Sequence, residues 1–215
     1  MTEREVLPYE ERLRRGRDGF LREASEFFMQ RGSLFQTLRD LTRRLDEASI
    51  PYAVLGAIAL GQHGLARMTV DIDVLLTSEG LAAFQARYVG RDYVPAFPGA
   101  RKTFRAADTG VRIEVITTGE YPGDGLPKPV RFPHPAEASI EVEGIRVLAL
   151  ERLLELKLAS GMTAPHRRRD LADVQDLIRA LRLPADLVER LDPSVRPMYQ
   201  QLWQEAQAPD PIQEG

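Results

Sequence analysis

Leu34, Leu38, Leu41 and Leu45 recur at helical spacing, with polar and charged residues filling the other face. The pattern predicts an amphipathic helix, and Ser33 is its expected N-cap. "PYAVLGA" predicts a short strand that runs into a glycine turn, and "AIALGQHGL" a helix that leaves the turn. "TVDIDVLL" alternates with a period of two and predicts a strand. "SEGLAAFQARYVG" opens on a capping Ser78 and closes on glycine, as a helix does. "RKTFRAAD" and "GVRIEVIT" predict two strands around a turn at Asp108–Gly110, and "SIEVEGIRVLAL" a strand, a glycine turn and a second strand end. Between them, "EYPGDGLPKPVRFPHP" is too rich in proline and glycine to be anything but loop. From about residue 150 the period is helical again, through "LERLLELKLASG", "RRRDLADVQDLIRAL", "PADLVERL" and "VRPMYQQLWQEAQ".

Strands gathered in the middle and helices after them predict an α+β fold. The expected parts are an N-terminal helical arm over 1–32, an α+β core over 33–150, a C-terminal helical part over 151–207 and a disordered tail over 208–215. Composition narrows the setting. The formal net charge of −3 leaves no global basic field, so nucleic acid binding would need a local patch. There is no cysteine, which excludes disulfides and thiolate chemistry and suits a reducing cytoplasm. The charged N-terminus "MTEREVLPYEERLRRGRDGF" lacks the apolar stretch of a signal peptide. No apolar run approaches the roughly 20 residues that span a bilayer. The expectation is a cytoplasmic protein with no membrane partner.

Asp71 and Asp73 stand one residue apart inside an otherwise apolar strand. They share a face, while Val70, Ile72 and Val74 supply the other. Arg112, Glu114 and Ile116 alternate in the same way with Val111, Ile113 and Val115. If the two strands are neighbours, Glu114 stands beside Asp71 and Asp73. Such an oxygen cluster is what a hard cation accepts, and two ions can bridge the attacking and leaving oxygens of a phosphoryl or nucleotidyl transfer. The bland alternative is a solvated sheet face with ordinary polar-out acids.

The stretch upstream favours the first reading. A strand, the Gly56-Ala57 turn, a helix and then Asp-x-Asp, together with His63-Gly64, Arg67 and Thr69, resemble the signature of the polymerase-beta-like nucleotidyltransferase superfamily. The stretch "YAVLGAIALGQHGLARMTVDIDVLL" is similar to its minimal, toxin-related, AbiEii-like branch. The resemblance implies a nucleotidyltransferase-like mixed sheet with flanking helices. It implies that Asp71, Asp73 and Glu114 hold Mg²⁺ or Mn²⁺ on a nucleoside triphosphate, with Glu114 a general base toward the acceptor hydroxyl. It further implies that Gly56 and Ala57 cradle phosphates and that Arg67 and Thr69 belong to the nucleotide site. For Arg67 an ion pair with the acids is an equal alternative, and for His63 a structural place at a helix end is preferred. Two positions depart from the family pattern. The second turn residue is Ala57 where Ser or Gly is usual, and a positive φ there would strain an alanine. The third acid is a Glu where Asp is common.

In "LALERLLELKLASG", Lys157 falls on the apolar face. An inner lysine requires an anionic partner, unless its stem packs and its head reaches water. Asp170 and Asp173, three residues apart, share a helix face and open a helix, where carboxylates also serve as caps. The resembled family has a lysine and an R-D-x-x-D helix here. By that likeness Lys157 binds phosphate and Asp170 and Asp173 position it. Arg167, Arg168 and Arg169 are either an RNA-backbone contact or a solvated face. The resulting expectation is a metal-dependent transfer of a nucleotidyl group from an NTP to a hydroxyl of RNA (tRNA among them), protein or a small molecule. Analogy adds a toxin role and an antitoxin partner. The alternative is a degenerate relative that only binds or regulates.

Overall fold

A computed structural model describes residues 8–14 and 31–208. Most of the N-terminal arm expected over 1–32, and the expected tail beyond 208, lie outside the described residues. The chain divides into two units. One comprises 1–62, 66–118 and 134–148, the other 63–65, 119–133 and 149–215.

The first unit is built on a mixed sheet. Its strands are β1 (Tyr52–Val54), β2 (Asp71–Leu76), β3 (Tyr93–Pro95), β4 (Thr103–Ala106), β5 (Arg112–Thr117), β6 (Ser139–Val142) and β7 (Ile145–Leu148). They lie in the order β3-β4-β5-β2-β1-β7-β6. The β2–β5 and β1–β7 pairs are parallel, and the other pairs are antiparallel. Its helices are α1 (Tyr9–Arg14), α2 (Gly32–Glu47), α3 (Gly56–Gln62), α4 (Ser78–Tyr88) and the single turn α5 (Pro135–Ala138).

The leucine stripe of α2 behaves as its spacing predicts. Leu34, Leu38, Leu41 and Leu45 are all buried, and the helix packs on β2 and β7. Helix α4 covers β2 and β5. Phe84 of this helix meets Tyr93 of β3 and Phe104 of β4 with ring centroids 5.1 and 5.5 Å apart. These aromatic pairs add to the area term and fix how α4 sits on the sheet. Ile72, Val74, Ile113 and Val115 form the buried layer of the two central strands.

Local details differ from the sequence reading in four places. Helix α2 starts at Gly32 with Arg31 as its N-cap, so Ser33 sits inside the first turn and does not cap. Helix α4 is capped by Thr77, whose hydroxyl accepts from Gly80 N at 2.9 Å, and Ser78 is its first helical residue. Strand β2 ends one residue before Thr77, and the chain is still extended there, as an N-cap requires. "PADLVERL" forms a 3₁₀ turn over Ala185–Arg190 rather than an α-helix. Pro184 before it and Pro193 after it leave no room for a longer ladder. The short strand β3 has no alternating pattern of its own, and Pro95 restricts it to the sheet edge.

The second unit is helical. It comprises α6 (Leu150–Thr163), α7 (Arg169–Leu181) and α8 (Arg196–Ala206), with 3₁₀ turns at Pro165–Arg167 and Ala185–Arg190. Helix α6 packs on α7 and α7 on α8. The contact between α6 and α7 is close because Gly161 has no side chain: a Cβ there would lie 2.6 Å from Leu171 Cγ. The proline- and glycine-rich segment 119–133 belongs to this unit, and its Gly123 packs against Ser160 and Thr163 of α6.

Candidate active site

Register brings the acids of the sheet to one face. Parallel pairing of β2 with β5 sets Asp73 beside Glu114 and Asp71 beside Arg112. Alternation sends Ile72, Val74, Ile113 and Val115 into the core, and leaves Asp71, Asp73, Arg112 and Glu114 partly exposed. The cost of keeping carboxylates in a strand is thereby limited, because water still reaches them.

The glycine turn meets this face at Asp73. Leu55 N donates to Asp73 O at 3.0 Å, which ties the end of β1 to β2. Gly56 follows with φ +65°, in the left-handed region. A Cβ at Gly56 would stand 2.9 Å from Asp73 Cγ and closer still to its Oδ2. Only glycine allows the carboxylate to lie against the backbone here. Ala57 is not among the left-handed residues, so the departure from the family pattern brings no strain. It is buried in the first turn of α3.

Asp71 is held from both sides. Thr69 Oγ1 donates to Asp71 Oδ1 at 2.7 Å. Arg112 Nη2 lies 3.0 Å from Asp71 Oδ2 and 2.6 Å from Glu114 Oε1. One guanidinium nitrogen therefore stands between two of the three acids. Among the described residues, no three His, Cys, Asp or Glu side chains converge into a ready cation cage. The donor set still suits a hard divalent ion: every donor is a carboxylate oxygen, all three lie on one face, and a cation already bridges two of them. Arg67 lies half-buried in the segment that leads into β2, and His63 follows the end of α3.

A second cation lies beside Arg112. Arg105 of β4 pairs with Arg112 in register and donates to both carboxylate oxygens of Glu10, on α1, at 2.6 and 3.0 Å. The bonded Arg105 guanidinium holds the Glu10 carboxyl below its usual range against the opposing effect of burial, and Arg112 adds its charge.

In the helical unit, Lys157 is only 7% exposed. Its ammonium donates to Asp170 at 3.0 Å and to Asp173 at 2.7 Å. The helix period puts the two acids on one face, and Lys157 meets both, the pairing that the resemblance implies. Asp170 also accepts from the Ser160 hydroxyl at 2.7 Å and from Arg167 Nε at 2.8 Å. Burial pushes the Asp170 carboxyl up, but Lys157, Ser160 and Arg167 together hold it below its usual value. Arg168 and Arg169 are exposed.

Three functional-looking residues escape a reading of the sequence. Arg112 is visible there only as the strand partner of Glu114, and its bridging place depends on the β2–β5 register. Ser160 gives no signal beyond lying three residues after Lys157. Glu155 is buried and accepts from Asp192 N at 2.7 Å, a loop contact that no helical period announces.

No protein-family profile matches the chain, and no curated protein matches it. Among solved structures, the chain is similar to JHP933 from Helicobacter pylori, with 17% identity over 80% of this chain and 89% of that one and a TM-score of 0.44. It is similar to TM1012 from Thermotoga maritima, with 21% identity over 64% of this chain and 92% of that one and a TM-score of 0.41. It is also similar to ANT(2")-Ia in complex with adenylyl-2"-tobramycin, with 16% identity over 73% of this chain and 91% of that one and a TM-score of 0.44.

Proposed function

We propose that the chain is a metal-dependent nucleotidyltransferase whose site is the acidic face at Gly56. The observation that carries this reading is the Asp73 carboxylate lying against left-handed Gly56, with Glu114 beside it in register and Asp71 on the same face. A strand interior has no structural need for such an arrangement, whereas a triphosphate with its ions does. Asp71, Asp73 and Glu114 are the residues that would hold Mg²⁺ or Mn²⁺. When bound, the ion neutralises the triphosphate and polarises its α-phosphorus. The N–H groups at Gly56 and Ala57 are assigned to phosphate oxygens. Thr69 fixes the orientation of Asp71. Arg67 is assigned to the same nucleotide site.

In the reaction the acceptor oxygen bonds to the α-phosphorus and the bond from that phosphorus to the β-bridging oxygen breaks. Pyrophosphate leaves, and the hydroxyl proton passes to Glu114. Most of the rate comes from positioning and charge neutralisation. In the helical unit, Asp170 and Asp173 position Lys157, which resemblance assigns to phosphate. Its ammonium gives two of its three N–H donors to these carboxylates, and the third is assigned to a phosphate oxygen.

The acceptor class is a hydroxyl of RNA (tRNA included), protein or a small molecule. A cytoplasmic toxin paired with an antitoxin protein is the biological setting that the AbiEii-like resemblance supplies. The test is incubation with each α-labelled NTP, Mg²⁺ and a total RNA or protein extract. The reading predicts label transfer and pyrophosphate release that Asp73→Asn lowers at least about a hundredfold while the variant stays folded. Label transfer by Asp73→Asn at the wild-type rate contradicts it.

A further inference from the structure

We propose that Arg112 is a resident cation of the acidic face, a placeholder that keeps free divalent ions off Asp71 and Glu114 until a metal–triphosphate displaces it. The inference rests on the reading of these acids as metal ligands.

Both oxygens of Asp71 are in use. Oδ1 accepts from Thr69 at 2.7 Å, and Oδ2 lies 3.0 Å from Arg112 Nη2. The same nitrogen is 2.6 Å from Glu114 Oε1. Each oxygen keeps a second lone pair, but a divalent ion on Asp71 Oδ2 or Glu114 Oε1 would stand against the guanidinium, so the two cations compete for one place. The competition is built into the strands. Arg112 lies two residues before Glu114 on β5 and directly beside Asp71 in register, so the pairing that gathers the acids also delivers the arginine.

Arg112 lies within electrostatic reach of Glu10, whose carboxylate is now held by Arg105, the residue across from Arg112 on β4. The row therefore holds two guanidinium groups, Arg105 and Arg112, and the carboxylates of Glu10, Asp71 and Glu114, with Asp73 beside Glu114. A divalent ion that arrives alone adds two positive charges next to a guanidinium that has lost its partners. An ion that arrives on a triphosphate brings its own anion, and the released fork finds phosphate oxygens, which it matches well. Arg112 thus favours loading of the metal–nucleotide pair over the bare ion.

The test is Mn²⁺ titration without nucleotide, followed by the electron paramagnetic resonance signal of the free ion. It compares wild type, Arg112→Gln, Arg112→Lys and Arg112→Gln with Asp71→Asn. Arg112 is about a third exposed in its side chain, so its loss leaves the fold standing. Two partly exposed ion pairs set the expected gain: Arg112→Gln binds Mn²⁺ about tenfold more tightly than wild type. Arg112→Lys, with one point charge in place of a fork, falls between them, and the added Asp71→Asn removes the gain. Equal or weaker binding by Arg112→Gln overturns the placeholder role, while binding that Asp71→Asn still abolishes leaves the metal-site reading standing. Absence of Mn²⁺ binding in wild type and Arg112→Gln alike overturns both.

Discussion

The carboxylate of Asp73 lies against the Cα of Gly56, in the space that any other side chain would fill. This contact joins the turn after β1 to the acid on β2 and makes a glycine obligatory where the chain takes φ +65°.

Gly56→Ala is therefore expected to cost about 2 kcal/mol, part from the left-handed backbone and part from displacing Asp73. Urea denaturation reads the stability loss, and Mn²⁺ binding reads the displaced acid. Wild-type behaviour in both would remove the contact from the site. Ala57→Gly is the control: Ala57 is not left-handed, so the change should leave the acid in place.

Lys157→Met removes the buried cation that Asp170 and Asp173 share, and leaves Asp170 to Ser160 and the exposed Arg167. A loss of about 3–5 kcal/mol is expected in denaturant unfolding. Replacing both acids by Asn in the same chain should recover most of it, because the cost belongs to the orphaned charges. A single variant as stable as wild type would show that the cluster does not hold α6 to α7.

The Asp170 carboxyl is held below its usual range, so the unfolded chain takes up its proton at a higher pH than the folded one. Its contribution is present above the ordinary carboxylate value near about pH 4 and is lost as pH falls through its lower folded value. Melting temperature should drop along that acid limb in wild type. Asp170→Asn should start lower and show a flatter limb. An unchanged limb in the variant would assign the acid sensitivity to other groups.

Gly161→Ala places a methyl group 2.6 Å from Leu171 Cγ and 3.2 Å from Leu171 N. In an open helix the change would gain about 1 kcal/mol of propensity. Here the two helices must part, and a net loss of about 1–2 kcal/mol is expected by thermal melting. A gain in stability would mean that α6 and α7 separate freely.

Much of the sheet unit was legible because its signals are local. The leucine period of α2, the alternation in "VDIDVLL" and "VRIEVIT" and the Gly56 turn each follow from a few adjacent residues. The shared face of Asp71, Asp73 and Glu114 needed one long-range condition, adjacency of two strands, and the register meets it. The role of Arg112 was not legible, since alternation alone says which face a residue takes and not which residue of the next strand lies beside it. Ser33 and Ser78 lie one or two residues past the true caps, because Arg31 and Thr77 occupy the extended positions just before the helices. Helical spacing sets Lys157 on an inner face and Asp170 with Asp173 on one face, and the resemblance pairs them, whereas Ser160 and Glu155 act through contacts that no period announces.

Calorimetric titration of the four NTPs into the protein, with Mg²⁺ and with EDTA, tests whether Asp71, Asp73 and Glu114 hold the metal of a nucleoside triphosphate, without knowledge of the acceptor. The expected result is binding of at least one NTP that needs Mg²⁺ and is lost in a folded Asp71→Asn variant. Binding that persists in EDTA or in Asp71→Asn, or no binding by wild type, would contradict it.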